Sequence, residues 1–142
     1  MASLITPNLI MPIPNKILLI SFGYIYGMLT ADYVFNVAKM IPSDHIPRYD
    51  LSGLSPVNIN YIQKVFPDKV VTVAKCINLV MEAVQMDEIK RGIVIGVGCT
   101  YGQHRSVAVV EILSQKILDY QIVVKHRDIR GFVKEAGLVP HG

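Results

Sequence analysis

The residues best suited to chemistry lie in one short stretch, Cys99-Thr100-Tyr101-Gly102-Gln103-His104-Arg105-Ser106. A thiol, an arginine and a serine fall there in the spacing C-x-x-G-x-x-R-S. The segment before it, Gly92 to Val97, is β-branched and apolar on both faces, as in a strand covered on both sides. After it a helix is expected from Arg105 or Ser106 to Ile117 or Leu118. A loop between a strand end and a helix start aims backbone N–H groups at whatever sits above it, and the helix dipole adds positive potential. The expected chemistry is therefore anion binding. Gly96, Gly98 and Gly102 allow positive φ or close backbone approach to a ligand. Arg105 offers a planar fork that grips a phosphate in bidentate fashion, and Thr100 and His104 add donors.

The same spacing matches the phosphate loop of protein tyrosine phosphatases. A thiolate at the base of a ring of N–H groups has a lowered pKa and can attack phosphorus. The arginine then holds the equatorial oxygens as charge spreads. Gly98 stands where those enzymes usually place a histidine. The reaction also needs a general acid; Asp32, Asp44 and Asp50 are candidates, and the sequence places none of them. Three readings stay open from the residues alone. The stretch is an anion-binding loop without turnover, a Cys-dependent phosphatase loop using Cys99 and Arg105, or a structural turn around a buried thiol.

The elements that must position this loop follow from pattern. Residues 1–15 read as an extended arm broken by Pro7, Pro12 and Pro14, residues 16–130 as one domain, and residues 131–142 as a tail. Strands are expected over Lys16–Phe22, Asp32–Val37, Gly92–Val97 and Tyr120–Val124, and helices over Val57–Phe66 and Lys69–Met86 besides the one after the loop. Pro67 stops the first helix and Asp68 is a candidate cap for the next. The order β, β, α, α, β, α, β predicts an α/β domain with a mostly parallel central sheet flanked by helices. Gly23 to Gly27 is expected as a loop just past a strand end, where open sheets of this class bind ligands. Residues 38–56 form a long connection carrying Asp44, His45, Arg48 and Asp50, either a solvated loop or a wall over the anion site. Tyr24, Tyr26 and Tyr101 read as an aromatic rim for a sugar or base, or as packing.

Composition narrows the class. The chain has 142 residues, 51% hydrophobic and 18% charged, which is enough to fold around one core and excludes a disordered adaptor. The net charge of +3 permits an acidic partner without demanding one. Basic residues gather at Lys125, His126, Arg127, Arg130 and Lys134. Cys76 and Cys99 read as reduced thiols of a cytoplasmic protein, Cys76 as an inert core thiol. Neither C-x-x-C nor H-x-x-x-H spacing occurs, so neither a metal nor a cofactor is expected. No apolar run is long enough to span a bilayer.

Several motifs together resemble one family. GCTYGQHRSV resembles the GCTGG-[KQ]-HRSV loop of the C-terminal domain of the RapZ family, RNase adapter proteins also described as YvcJ-like. SFGYIYG resembles that domain's SFGFKHG, ADYVFNV its ADYVFDV, LSGL its MTGLD or LTGLD, and KHRD its RHRTL or RHRDL. The likeness covers roughly residues 16–130 in order and spacing. Full-length members carry an N-terminal P-loop kinase-like domain, and no G-x-x-x-x-G-K-[ST] occurs here. The resemblance implies a regulatory module that binds a hexosamine phosphate and small RNA, self-associates, and works with a ribonuclease or a kinase-like partner. Carried over by position, Cys99, Thr100, Tyr101, Gly102, Gln103, His104, Arg105 and Ser106 would line the phosphate pocket, with His45 and Tyr26 facing it. Lys125, His126, Arg127 and Arg130 would form an RNA-facing patch. The chain departs from the pattern at Tyr26 (histidine in the family), Asn36 (aspartate), Ala38 (arginine) and Tyr101 (glycine).

Overall fold

The computed structural model describes residues 16–42, 46–86 and 92–130. Four strands are present: β1 (Lys16–Gly23), β2 (Tyr33–Asn36), β3 (Ile93–Cys99) and β4 (Gln121–His126). Three α-helices accompany them: α1 (Pro56–Val65), α2 (Pro67–Met86) and α3 (Arg105–Lys116). The sheet runs β2-β3-β1-β4, and every pairing is parallel. All four strands therefore end on the same edge, at Gly23, Asn36, Cys99 and His126. In an open parallel sheet that edge is where ligands bind.

Alternation decides which residues enter the main core. Ile17 and Leu19 of β1 and Ile93, Ile95 and Val97 of β3 join Ile62 of α1, Ile77 and Met81 of α2 and Leu113 of α3 in one buried cluster. α3 lies across β1, β3 and β4, and α1 and α2 pack on α3 and on each other. Ile20 and Phe22 are buried outside that cluster. Phe22 meets Tyr24 edge-on, with centroids 4.9 Å apart. Tyr24 belongs to a single 3-10 turn, Tyr24–Tyr26, that occupies the expected 23–27 loop.

The observed order is the expected one, and the boundaries differ by one to two residues. α2 opens on Pro67 itself, so Asp68 lies in its first turn rather than capping it. There the carboxylate still complements the helix dipole. Cys76 is half-buried rather than sealed in the core. Of the three glycines read as permitting positive φ, only Gly102 adopts it, at +70°. Gly98 instead leaves room for aromatic side chains: a Cβ there would lie 2.6 Å from Phe22 and 2.7 Å from Tyr24.

One contact fixes the loop above β3. Gly102 packs backbone to backbone on the end of β1, where a Cβ on Gly102 would lie 2.6 Å from the Gly23 nitrogen. A Cβ on Gly23 would in turn lie 2.7 Å from the Gly102 nitrogen. Neither position accepts a side chain without moving main chain. Gly102→Ala adds left-handed backbone strain to that collision and is expected to lower stability by about 2 kcal/mol or more. Urea unfolding of the variant beside Gly92→Ala, which meets only ordinary contacts, checks this.

Candidate functional site

Cys99 is the last residue of β3 and is buried. Its Sγ accepts the Gly102 N–H at 3.3 Å and the Ser106 N–H at 3.4 Å, and lies 3.2 Å from Ser106 Oγ. The loop therefore closes around sulfur. Ser106 is in the first turn of α3, where N–H groups lack intrahelical acceptors. The thiol takes up one of them.

Arg105 is buried at the start of α3. Its Nη1 donates to the carbonyls of Ala38 and Ile41, at 3.1 and 3.0 Å, and its Nη2 donates to Thr100 Oγ1 at 3.3 Å. One side of the fork is committed to the chain after β2, while the other faces the loop. His104 Nε2 lies 2.8 Å from the Tyr49 carbonyl, which calls for a proton on that nitrogen. The His104 ring also tilts against the Tyr49 ring, with centroids 4.5 Å apart. Ile46, Tyr49, Cys99, Tyr101, Gln103, His104 and Arg105 line one pocket. Its free interior, about 10 Å3, is close to the least space one water occupies. Among the described residues the lining includes no carboxylate, and Asp44 lies outside them.

The surrounding supports come from distant parts of the chain. Gln103 is buried; its amide nitrogen donates to the carbonyls of Tyr101 and Asp128, and its oxygen accepts the Arg130 N–H. Asp128 accepts the Gly23 N–H at 2.8 Å and pairs with Arg127 at 2.8 Å. Burial pushes the Asp128 carboxyl up, but the bonds from Arg127 and Gly23 and the charges of Arg127 and Arg130 outweigh it and hold it below its ordinary value. Gly53 donates to the Gln103 carbonyl at 2.7 Å. The fully buried Asn58 donates to the carbonyls of Arg48, Leu51 and Ser52 and accepts the Arg48 N–H, shaping the segment that carries Tyr49. Burial also pushes the Tyr24 phenol up, with Cys99 adding to it.

The sequence profile of the RapZ C-terminal domain matches residues 15–130. The chain belongs to this family. A nucleotide-binding protein of Listeria innocua is 36% identical over 118 residues, covering 79% of this chain and 40% of that protein. Nucleotide-binding proteins of Macrococcus caseolyticus (34% over 125 residues) and Lactobacillus delbrueckii (32% over 120 residues) each align with 81% of this chain and 41% of their own length. The chain thus spans about 40% of the length of these curated relatives.

In this RapZ C-terminal domain the site residues expected from sequence separate into groups. Cys99, Tyr101, Gln103, His104 and Arg105 converge on the pocket. Gly102 and Ser106 join it by bonding the Cys99 sulfur, and Thr100 by bonding Arg105. Tyr26 is not among the lining residues; it is exposed, and the Arg130 guanidinium stacks on its ring at 4.2 Å. His45 and Asp44 lie outside the described residues. Asp32 immediately precedes β2 and accepts the Val94 N–H, well below the loop, and Asp50 pairs with Arg48 at 2.7 Å. Asn36 accepts the Ala38 N–H and so caps the turn after β2.

The basic residues after β4 divide likewise. His126 bridges Ser21 Oγ at 2.6 Å and Glu111 at 2.7 Å. Arg127 spreads over the carbonyls of Gly27 and Met28 and the Phe22 ring. Lys125 and Arg130 are exposed. Tyr49, Ile46 and Asn58 were absent from the sequence-derived set. Among the described residues no transmembrane-length apolar helix and no group of metal-ligating side chains occurs.

Asp128 gives a pH signature with a definite sign. Its folded value lies below the ordinary 3.8, so its contribution to stability is complete above about pH 4 and disappears as pH falls through that lower value. Asp128→Asn is expected to cost about 1–3 kcal/mol at neutral pH and to flatten the acid limb of the stability curve. Denaturant midpoints measured from pH 2 to 7 check both.

Proposed function

We propose that this domain is a non-catalytic binding module that holds a phosphorylated small molecule, of sugar-phosphate type, over the Cys99–Arg105 loop, in a regulatory or adaptor role. The observation that carries the reading is the convergence of Arg105, His104 and the loop main chain on one pocket at the ligand-binding edge of a parallel sheet. A phosphate there would meet a guanidinium and the N-terminal turn of α3. Charge-assisted bonds of that kind contribute about 1.5–3 kcal/mol each. The names of the relatives agree with a phosphorylated ligand, although they describe proteins more than twice this length. The match to a family of binding modules favours binding over the phosphatase alternative.

Exposed Lys125 and Arg130 support a weaker second contact with an acidic partner such as small RNA. Self-association and a ribonuclease or kinase-like partner rest on the family resemblance.

Calorimetric titration with inorganic phosphate and with hexose and hexosamine 6-phosphates tests the binding reading. Saturable binding is expected in the wild type. Arg105→Lys keeps the charge but loses the fork, and is expected to weaken binding at least tenfold while circular dichroism confirms the fold. Equal affinity in both proteins, or no binding of any phosphate, would sink the assignment.

A further inference from the structure

We infer that Asn58, which is not among the pocket's lining residues, is a positioning residue of the site: it folds the Arg48–Ser52 segment so that the Tyr49 carbonyl holds the His104 ring ready for phosphate. That role rests on the phosphate-binding reading above and names the side chain that sets one of its contacts.

Asn58 is the third residue of α1 and is fully buried, four positions before the equally buried Ile62 on the same helix face. Asparagine is a weak helix former, and a core-facing position of this kind ordinarily takes an apolar side chain. An amide buried there costs stability unless its donors and acceptor are used. Here they are used, and among the described residues every bond goes to one segment. Nδ2 donates to the carbonyls of Arg48, Leu51 and Ser52 at 3.0, 3.3 and 2.9 Å, and Oδ1 accepts the Arg48 N–H at 3.1 Å. The Leu51 N–H closes the same turn onto the Arg48 carbonyl at 3.0 Å. The far end of the segment is pinned from the other side. Gly53 donates to the Gln103 carbonyl at 2.7 Å, and a Cβ on Gly53 would lie 2.5 Å from the Ala108 nitrogen.

Tyr49 lies inside the turn that Asn58 closes, and its carbonyl is 2.8 Å from His104 Nε2. A carbonyl only accepts, so Nε2 carries the proton. The Tyr49 ring backs the His104 ring, with centroids 4.5 Å apart. His104 is thereby held in one orientation beside Arg105 at the start of α3, and both line the pocket. A ligand that meets a side chain already fixed is spared the entropy of ordering it. The amide on α1 thus reaches the phosphate site through one main-chain carbonyl.

The experiment reads the His104 ring tautomer, from long-range 15N–1H correlation at a pH above the ordinary histidine range, and the affinity for inorganic phosphate, by calorimetry. Wild type, Asn58→Leu, Asn58→Ser, His104→Gln and the Asn58→Leu/His104→Gln double variant are compared, with circular dichroism as the check on fold. The wild type is expected to hold the Nε2–H form alone. Asn58→Leu is expected to mix the tautomers and to weaken phosphate binding about threefold to tenfold, the cost of ordering one side chain. Asn58→Ser, the smaller change, should fold and move both readouts in the same direction. In the His104→Gln background Asn58→Leu should weaken binding no further, because its effect passes through the ring. An Nδ1–H ring in the wild type would overturn the role whatever the variants do. An unchanged tautomer and affinity in the folded Asn58 variants would overturn it too. An equal further loss in the double variant would make Asn58 a support of the fold alone and leave the phosphate site standing. Absence of inorganic phosphate binding in the wild type would remove the phosphate-binding reading and this role together.

Discussion

The site depends on one backbone contact, the seating of Gly102 against Gly23. β1 and β3 are parallel neighbours, so their ends arrive side by side and the loop that leaves β3 must cross the end of β1. It crosses at main-chain distance, which only a residue pair without Cβ atoms permits. Gly102 donates its N–H to the Cys99 sulfur, and its positive φ turns the chain that follows toward α3. Sulfur, N–H groups and helix start are brought together by that single crossing.

Around this crossing, polar supports reach in from every side of the sheet edge. Asp128 ties β4 to Gly23, Gln103 ties the loop to the segment after β4, Gly53 ties it to the approach to α1, and Arg105 ties it to the chain after β2. These are buried, charge-assisted or main-chain bonds, the kind that hold a binding loop in one shape before ligand arrives. The same economy explains why several residues of chemically suggestive type face inward. His126 and Arg127 are spent joining strands and turns, so the basic stretch offers fewer free cations than its composition implies.

The strand, loop and helix from Ile93 to Lys116 were legible because their signals are local: a β-branched run, glycines, then helical spacing. The parallel sheet was legible from element order. The supports were not, because their partners are remote. Asp128 meets Gly23 across 105 positions and Gln103 meets Asp128 across 25, and no local pattern marks such a pair. Tyr49 hid for the same reason: it lies in an aperiodic connection, and only Asn58, ten positions from Arg48, reveals how that connection is folded. Tyr26, read as facing the ligand, stacks instead with Arg130, a partner more than a hundred positions away. Gly98 looked like a departure from a catalytic motif, and its cause is packing, since aromatic side chains from β1 and the turn after it occupy the space a side chain would need.

The central claim is that the loop from Cys99 to Ser106 is the phosphate receptor, and amide chemical shifts report on it most directly. A 15N-labelled sample titrated with inorganic phosphate should show saturable shifts concentrated at Thr100 to Ser106, with smaller changes at Tyr49 and Gly53, which touch the loop. Shifts confined to Lys125 and Arg130, or no saturable shift in the loop, would contradict the account.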